Sequence, residues 1–343
     1  MDISKYPQIT IQEIVRESER TRTFVFKSNQ IIKYRAGQFI TLLFSEKAEG
    51  RRAYSFSSSP EVDRAPAITV SRVANGFVSR RLTDQLKVGD RISYTHISGN
   101  FTLPETIAET RHFVFFAAGG GITPIFSLIK SLLAVHHKCS LTLIYSSHSE
   151  ADALFAKELK KLQQQYSFRF KIEWIFSVAA HKMQRRLSHF LLLQFIETYV
   201  CDAGSTLFYL CGPYEYMDMI QIVLRTEGIA PQQIRQEHFY IPRLTQPPEP
   251  PDIAERTITL RLGGKEHRFR SGYPNSILAS ALAHNIPLDF SCRSGQCGSC
   301  VAKCLEGTVW MRYNEILTDE DLEKGLVLTC NGFPIGGAVI LEK

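Results

Sequence analysis

Across the first hundred positions the hydrophobic residues fall in short runs with a two-residue period, separated by turn formers. Thr23-Phe-Val-Phe26, Gln38-Phe-Ile-Thr-Leu-Leu-Phe44, Ala67-Ile-Thr-Val70 and Asp90-Arg-Ile-Ser-Tyr94 are the clearest of these runs. Their even spacing predicts a small antiparallel β-barrel. From His112 the pattern changes. Positions 113–117, 141–145, 172–177 and 206–211 read as apolar strands alternating with helical stretches, the order of a doubly wound parallel α/β sheet.

The longest apolar stretch, 113–129, contains Gly119, Gly120, Gly121 and Pro124 and is closed by Lys130. Those breakers exclude a membrane-spanning helix and predict a buried strand that runs through a glycine loop into a helix. Further on, five prolines fall within positions 241–252. Such a segment holds neither a helix nor an inner strand and extends as a semi-rigid tether. After it come a strand at 257–262, a Gly263-Gly264 hairpin turn, a return strand at 266–270 and a helix at 276–284. The predicted organisation is a barrel over 1–107, an α/β domain over 108–240, a proline-rich linker over 241–256 and a compact α+β module over 257–343.

Composition narrows the class. With 343 residues, 44% hydrophobic and 22% charged, the chain has the make-up of two or three folded domains and not of a disordered protein. A net charge of +6 is too mild to indicate nucleic-acid binding. Positions 1–10 lack the basic start and apolar core of a secretion signal, which leads to the expectation of a soluble, cytoplasmic protein. In a reducing compartment disulfides are a poor first explanation for cysteines.

There are eight cysteines, and half of them form a pattern. Cys292, Cys297 and Cys300 are spaced C-x4-C-x2-C, and Cys330 follows thirty residues on, behind the short strand at 326–329. This is the plant-type [2Fe–2S] spacing. Gly295 and Gly298 let the backbone wrap so that the thiolates point inward and N–H groups turn toward the sulfides. A zinc site is the alternative, but zinc frameworks usually pair two short C-x2-C knuckles. Cys139, Cys201 and Cys304 fit no ligand slot and read as small packed hydrophobes.

Within the barrel, Arg52-Ala-Tyr54-Ser55 resembles the Arg-x-Tyr-Ser signature of the ferredoxin–NADP reductase superfamily. The strand, hairpin, helix and cysteine-loop order of the tail resembles the β-grasp ferredoxin domain. The first resemblance implies FAD, with FMN as the alternative. Arg52 would hold the pyrophosphate, Tyr54 would lie against the isoalloxazine, and Ser55 would sit near flavin N5. Val70, Ser71 and Arg72 would border the isoalloxazine, and Gly76, Phe77, Val78 and Ser79 would meet the pyrophosphate.

The loop Gly119-Gly120-Gly121-Ile-Thr123-Pro124 departs from G-x-G-x-x-G but resembles the superfamily's nicotinamide loop, with Thr123 facing the nicotinamide. Cys211-Gly212-Pro213, with Met217 following, resembles the element that packs a cysteine beside the nicotinamide. Glu237 and Phe239 would lie at the flavin rim. The loop at 145–149 offers only hydroxyls and His148, and Arg185 and Arg186 lie on a later loop, so NADH and NADPH both stay open.

The resemblance implies an oxidoreductase in which electrons from NADH or NADPH reach FAD, then a [2Fe–2S] cluster held by Cys292, Cys297, Cys300 and Cys330. Ser55, Cys211 and Glu237 would be its catalytic residues. The domain order resembles that of the phenylacetyl-CoA epoxidase reductase subunits, hybrid-cluster-protein reductases and ketosteroid hydroxylase reductases. It implies a terminal acceptor protein, an oxygenase or hydroxylase component. A non-oxygenase acceptor such as a hybrid-cluster protein, and a non-enzymatic redox sensor, are the alternatives.

Overall fold

The computed structural model describes residues 6–28, 31–44, 50–107, 111–178, 186–239, 247–295, 297–314 and 316–343. Arg185 and the start of the proline-rich segment, 241–246, lie outside them. The chain divides into two compact units, one holding Met1–Ile97 with Phe101–Phe239, the other Ser98–Asn100 with Tyr240–Lys343.

The first unit opens with six strands: β1 (Gln8–Arg16), β2 (Thr21–Lys27), β3 (Phe39–Leu43), β4 (Arg51–Ser55), β5 (Ala67–Ser71) and β6 (Arg91–Ser98). They form one antiparallel sheet in the order β4-β3-β6-β1-β2-β5. A bridge between Phe56 and Ile68 joins the two outer strands and curls the sheet into a barrel. Ile9, Ile11, Phe24, Phe26, Ile40, Leu42, Ile68 and Val70 alternate inward and fill it. Between β5 and β6 a short helix α1 (Phe77–Arg80) continues as a wider π-turn through Gln85.

The same unit continues with a parallel sheet of β7 (His112–Ala118), β8 (Ser140–Ser147), β9 (Phe170–Phe176), β10 (Thr206–Cys211) and β11 (Ile234–Glu237). Its order is β11-β10-β7-β8-β9. The connecting helices are α2 (Ile122–Val135), α3 (Ala156–Gln165), α4 (His189–Tyr199) and α5 (Tyr214–Thr226). Successive residues of β7 serve opposite faces, as the two-residue period requires. Phe113, Phe115 and Ala117 pack with α2 and Leu159 of α3. Val114 and Phe116 pack with Leu192 of α4 and with Met217, Ile220 and Leu224 of α5. The chain turns from one side of the sheet to the other between β7 and β10. That reversal makes a crevice at the carboxyl ends of those two strands.

The second unit is an α+β β-grasp domain. Strands β12 (Arg256–Leu262), β13 (Lys265–Ser271), β14 (Val301–Met311), β15 (Leu326–Leu328) and β16 (Gly332–Glu342) are ordered β13-β12-β16-β14-β15. Helix α6 (Ile277–Ala283) covers one face, burying Ile277, Leu278 and Ala281 against Ile258, Leu260, Val339 and Leu341. Its start is capped by Ser276, whose hydroxyl accepts from the Ala279 N–H at 3.3 Å. A short turn of helix, α7 (Asp319–Glu323), precedes β15.

Candidate functional site

In the barrel, Arg52 and Tyr54 share one face of β4 and Ser55 points to the other, where it is 5% exposed. Arg52 is exposed and its Nη1 donates to the Arg51 carbonyl at 2.7 Å. Burial drives the Tyr54 phenol well above its ordinary range, with Arg52 opposing, so the ring stays neutral. Val70 is buried at the end of β5, Ser71 is exposed, and Arg72 forks onto the Asp84 carboxylate at 2.9 and 3.0 Å.

Gly76 precedes α1 where no side chain fits, because a Cβ there would stand 2.4 Å from the Ser79 hydroxyl. That hydroxyl accepts from the Val73 N–H and donates to the Gly76 carbonyl, tying the turn together. Beside it lies an open cavity of about 380 Å³ lined by Gly76, Phe77, Arg80, Arg81 and Asp84 among others. Phe77 is exposed and Val78 is buried. The glycine cradle and the two guanidinium groups suit the phosphates of a flavin dinucleotide. Arg80 and Arg81 are absent from the motif that points to this site, although they directly follow it in the sequence.

The crevice at the carboxyl ends of β7 and β10 depends on two glycines. A Cβ on Gly121 would lie 2.0 Å from the Cys211 carbonyl oxygen, and one on Gly212 would meet the Ala118 Cβ at 2.9 Å. Gly119 and Gly120 are exposed with open space around them, leaving room for a ligand. Thr123 is buried and its hydroxyl donates to the Gly120 carbonyl at 2.9 Å. Pro124 sits in the first turn of α2, where a missing N–H is tolerated. The loop and the start of α2 therefore present backbone N–H groups and the positive end of a fourteen-residue helix to the crevice.

Ladder register brings three further positions together there. Cys211 is flanked by Ala117 on β7 and by Glu237 on β11. Cys211 is fully buried, and burial, aided by the Glu237 carboxylate, pushes its thiol well above the usual range. It is a packed, protonated thiol and not a thiolate. Glu237 is 4% exposed, Phe239 is exposed, and Pro213 caps the start of α5. His148 is turned onto Ser177, its Nδ1 2.9 Å from that hydroxyl, and Arg186 is exposed.

In the β-grasp domain the antiparallel register of β14 and β15 sets Val301 opposite Leu328. The Thr329 N–H and hydroxyl both bond to the Cys300 carbonyl, at 3.2 and 2.9 Å. This ladder delivers Cys330 beside Cys300, close enough for each thiol to perturb the other. That proximity lowers Cys300 and raises Cys330. Cys297 lies beside Cys292 and is raised by it. Among the described residues no three metal-binding side chains meet at one ion position.

Backbone N–H groups are aimed at these sulfurs. The Cys292 N–H points to Cys297 Sγ at 3.5 Å, the Ser294 N–H to Cys292 Sγ at 3.4 Å, and the Gly295 N–H to Cys330. Gly295 has φ +80°, and a Cβ on it would lie 2.6 Å from the Asn331 side-chain nitrogen. Asn331 is 7% exposed, and its Nδ2 has no acceptor among the described residues. Neighbouring thiols, inward N–H donors and an unsatisfied buried amide fit a two-iron, two-sulfide core. Asn331 is a member of this site that cysteine spacing does not reveal. Of the other cysteines, Cys139 is buried and Cys304 is half-buried. Cys201 corrects the expectation of a packed thiol: just past the end of α4, it is exposed.

Comparison with known families agrees with each part. Residues 8–102 match the oxidoreductase FAD-binding domain, 115–222 the oxidoreductase NAD-binding domain, and 260–334 the 2Fe-2S iron-sulfur cluster binding domain. Three such domains in one chain define a nicotinamide-dependent flavin and iron–sulfur oxidoreductase. The ferredoxin reductase component of 3-ketosteroid-9-alpha-monooxygenase from Rhodococcus rhodochrous is 31% identical, covering 97% of this chain and 96% of its own length. The chain belongs to this family of ferredoxin reductase components. NADH oxidoreductase HCR of Escherichia coli K12 is 28% identical, with 97% of each chain covered. The fold matches the solved structure of phthalate dioxygenase reductase with a TM-score of 0.61 at 21% identity, covering 99% of this chain and 98% of that one. Among the described residues no helix is long and apolar enough to cross a membrane.

Proposed function

We propose that this reductase passes its electrons to the oxygenase component of a multicomponent system, and that the site residues divide as follows. Arg52, Tyr54, Ser55, Val70–Arg72 and Gly76–Ser79 hold FAD, joined by Arg80 and Arg81. Gly119–Gly121, Thr123, Pro124 and Cys211–Pro213 hold the nicotinamide dinucleotide, with Glu237 and Phe239 at the flavin rim. Cys292, Cys297, Cys300 and Cys330 ligate the cluster. When bound, these groups supply a hydride donor, a carrier that converts an electron pair to single electrons, and a one-electron acceptor.

The chain's own work is placement. Gly121 and Gly212 let the two strand ends close on each other, fixing the nicotinamide pocket to within the tolerance that transfer needs. The protonated Cys211 thiol packs without reacting, and the neutral Tyr54 ring offers a flat apolar face. The domain limits 1–107, 108–240, 241–256 and 257–343 follow this division of labour. A cytoplasmic setting accords with thiols that must stay reduced to bind iron.

The observation that carries this reading is the cysteine loop whose sulfurs face backbone N–H donors, with Cys330 delivered to it by the β14–β15 ladder, in a chain that also holds the β7–β10 crevice. Oxygenase partners are supported by the Rhodococcus relative, itself a component of a monooxygenase. As a second reading, the domain order also fits an acceptor that is not an oxygenase, such as a hybrid-cluster protein. The test is an anaerobic visible spectrum of the purified protein, before and after NADH or NADPH, with and without each candidate acceptor. Bleaching of flavin and cluster bands, reversed only by an oxygenase component, is the expected result. Bands absent after reconstitution with iron, sulfide and FAD would overturn the site assignment, and reversal only by a hybrid-cluster protein would overturn the oxygenase assignment.

A further inference from the structure

Lys343 follows β16, and its backbone N–H donates to the Arg261 carbonyl at 2.9 Å, so its position is held by the sheet. Its side chain is half-buried and turns toward the cysteine loop, where Nζ donates to the Ser299 carbonyl at 2.5 Å. Ser299 lies between Cys297 and Cys300, so the ammonium is held on the loop that carries both cysteines. Asp289 is the carboxylate that opposes it. Lysine is rarely removed from water without a partner. Here the partners are a carbonyl of the cluster loop and the field of the Asp289 carboxylate. No motif in the sequence singles this residue out.

Cys297 and Cys300 flank Ser299 in the chain, so the charge is anchored between two of the four proposed ligand positions. Reduction of the bound cluster adds one electron and makes or breaks no bond. A fixed positive charge next to the sulfurs stabilises the reduced, more negative state. A partly buried charge is also poorly screened by salt. We propose that the Lys343 ammonium raises the reduction potential of the [2Fe–2S] centre, making it a better acceptor of electrons from the flavin. This rests on the four-cysteine ligation proposed above.

The test is an anaerobic redox titration of the holoprotein with dithionite and mediators, followed by the visible bands and by the EPR signal of the reduced cluster. K343Q is expected to shift the one-electron equilibrium about tenfold toward the oxidised cluster, which is about 59 mV for a single-electron couple. K343R, which keeps the charge, is expected to stay within about threefold of the parent. D289N removes the opposing charge and is expected to shift the equilibrium the other way, by about twofold to threefold. An intact cluster in K343Q with an unmoved potential overturns the proposal, as does a D289N shift in the same direction as K343Q. If K343Q fails to hold iron, D289N decides alone, and an unmoved potential there overturns it. A parent protein that binds no iron instead defeats the ligation, a separate failure read directly from iron content.

Discussion

Replacing Gly121 by alanine puts a methyl group 2.0 Å from the Cys211 carbonyl oxygen, 2.4 Å from its carbon and 2.8 Å from the Gly212 nitrogen. All three contacts are backbone, at the end of a central strand, so no flexible side chain can swing aside. Restoring ordinary contact requires the start of α2 and the end of β10 to part by roughly 1 Å. Overpacking of this kind costs about 1–3 kcal/mol, which for a unit of this size lowers Tm by about 2–12 °C. The functional cost is larger, because a misplacement of about 1 Å at a reacting pair lowers rate by about a hundredfold.

The assay is stopped-flow reduction of bound flavin by NADH and NADPH, with the cluster bands as an internal control for the β-grasp domain. G120A is the companion variant. Its Cβ meets nothing within 4 Å, so its Tm should match the parent even though the added methyl projects into the ligand crevice. A G121A protein with parental Tm and flavin reduction within twofold of the parent would refute the claim that this glycine sets the crevice.

Cys300→Ser or Cys330→Ser should abolish the cluster bands while leaving flavin reduction by the nicotinamide, measured with ferricyanide as acceptor, within about twofold. Arg52→Ala should release FAD more readily, read as flavin fluorescence in the filtrate after ultrafiltration. Thr69→Val removes a buried hydroxyl bonded to Thr23 at 2.7 Å and Ser57 at 3.0 Å, at a cost of about 1–3 kcal/mol in urea unfolding. His238 is buried, and burial lowers its imidazole to about 4. Above pH 6.5 neither folded nor unfolded chain protonates it, whereas between pH 6.5 and about 4 only the unfolded chain does. Stability should therefore fall as pH falls through that window, by up to about 3 kcal/mol, and H238F should flatten that limb of the urea midpoint against pH.

Features that depend on near neighbours in the chain are legible in the amino-acid sequence alone. The period-two runs correspond to β2, β3, β5 and β6, and the broken apolar stretch to β7, its glycine loop and α2. The cysteine spacing implies an iron–sulfur loop because the wrap around a cluster is local, except for its last ligand. What escapes such a reading depends on segments distant in sequence. How Cys330 comes to lie beside Cys300 is decided by the β14–β15 register, across about thirty residues. Asn331 matters only because Gly295 is folded against it, and Lys343 only because β16 ends beside the loop. Cys201 shows the converse: a small thiol carries no periodic signal, and its exposure is set by where α4 stops. The wide turn Arg81–Gln85, which buries Leu82, also has no signal in the local pattern.

Both proposed redox sites are positioned by the same physical device. In the α/β domain, Ala117, Cys211 and Glu237 are successive cross-strand neighbours on β7, β10 and β11. In the β-grasp domain, the pairing of Val301 with Leu328 fixes where Cys300 and Cys330 emerge. A side chain's face inverts with every one-residue slip of a ladder. Slippage at β14–β15 would therefore separate the thiols and expose Val327 or Leu328, which are now buried. The apolar core thus penalises the same misregister that would destroy the cluster site. Ligand geometry is thereby tied to hydrophobic burial. An insertion of one residue between Thr329 and Cys330 leaves the core and its register intact but moves the thiol. It should leave the Tm of the metal-free protein within a few degrees while iron content falls to near zero. A Tm that falls together with iron content would refute the claim that the core and its register are independent of where Cys330 sits.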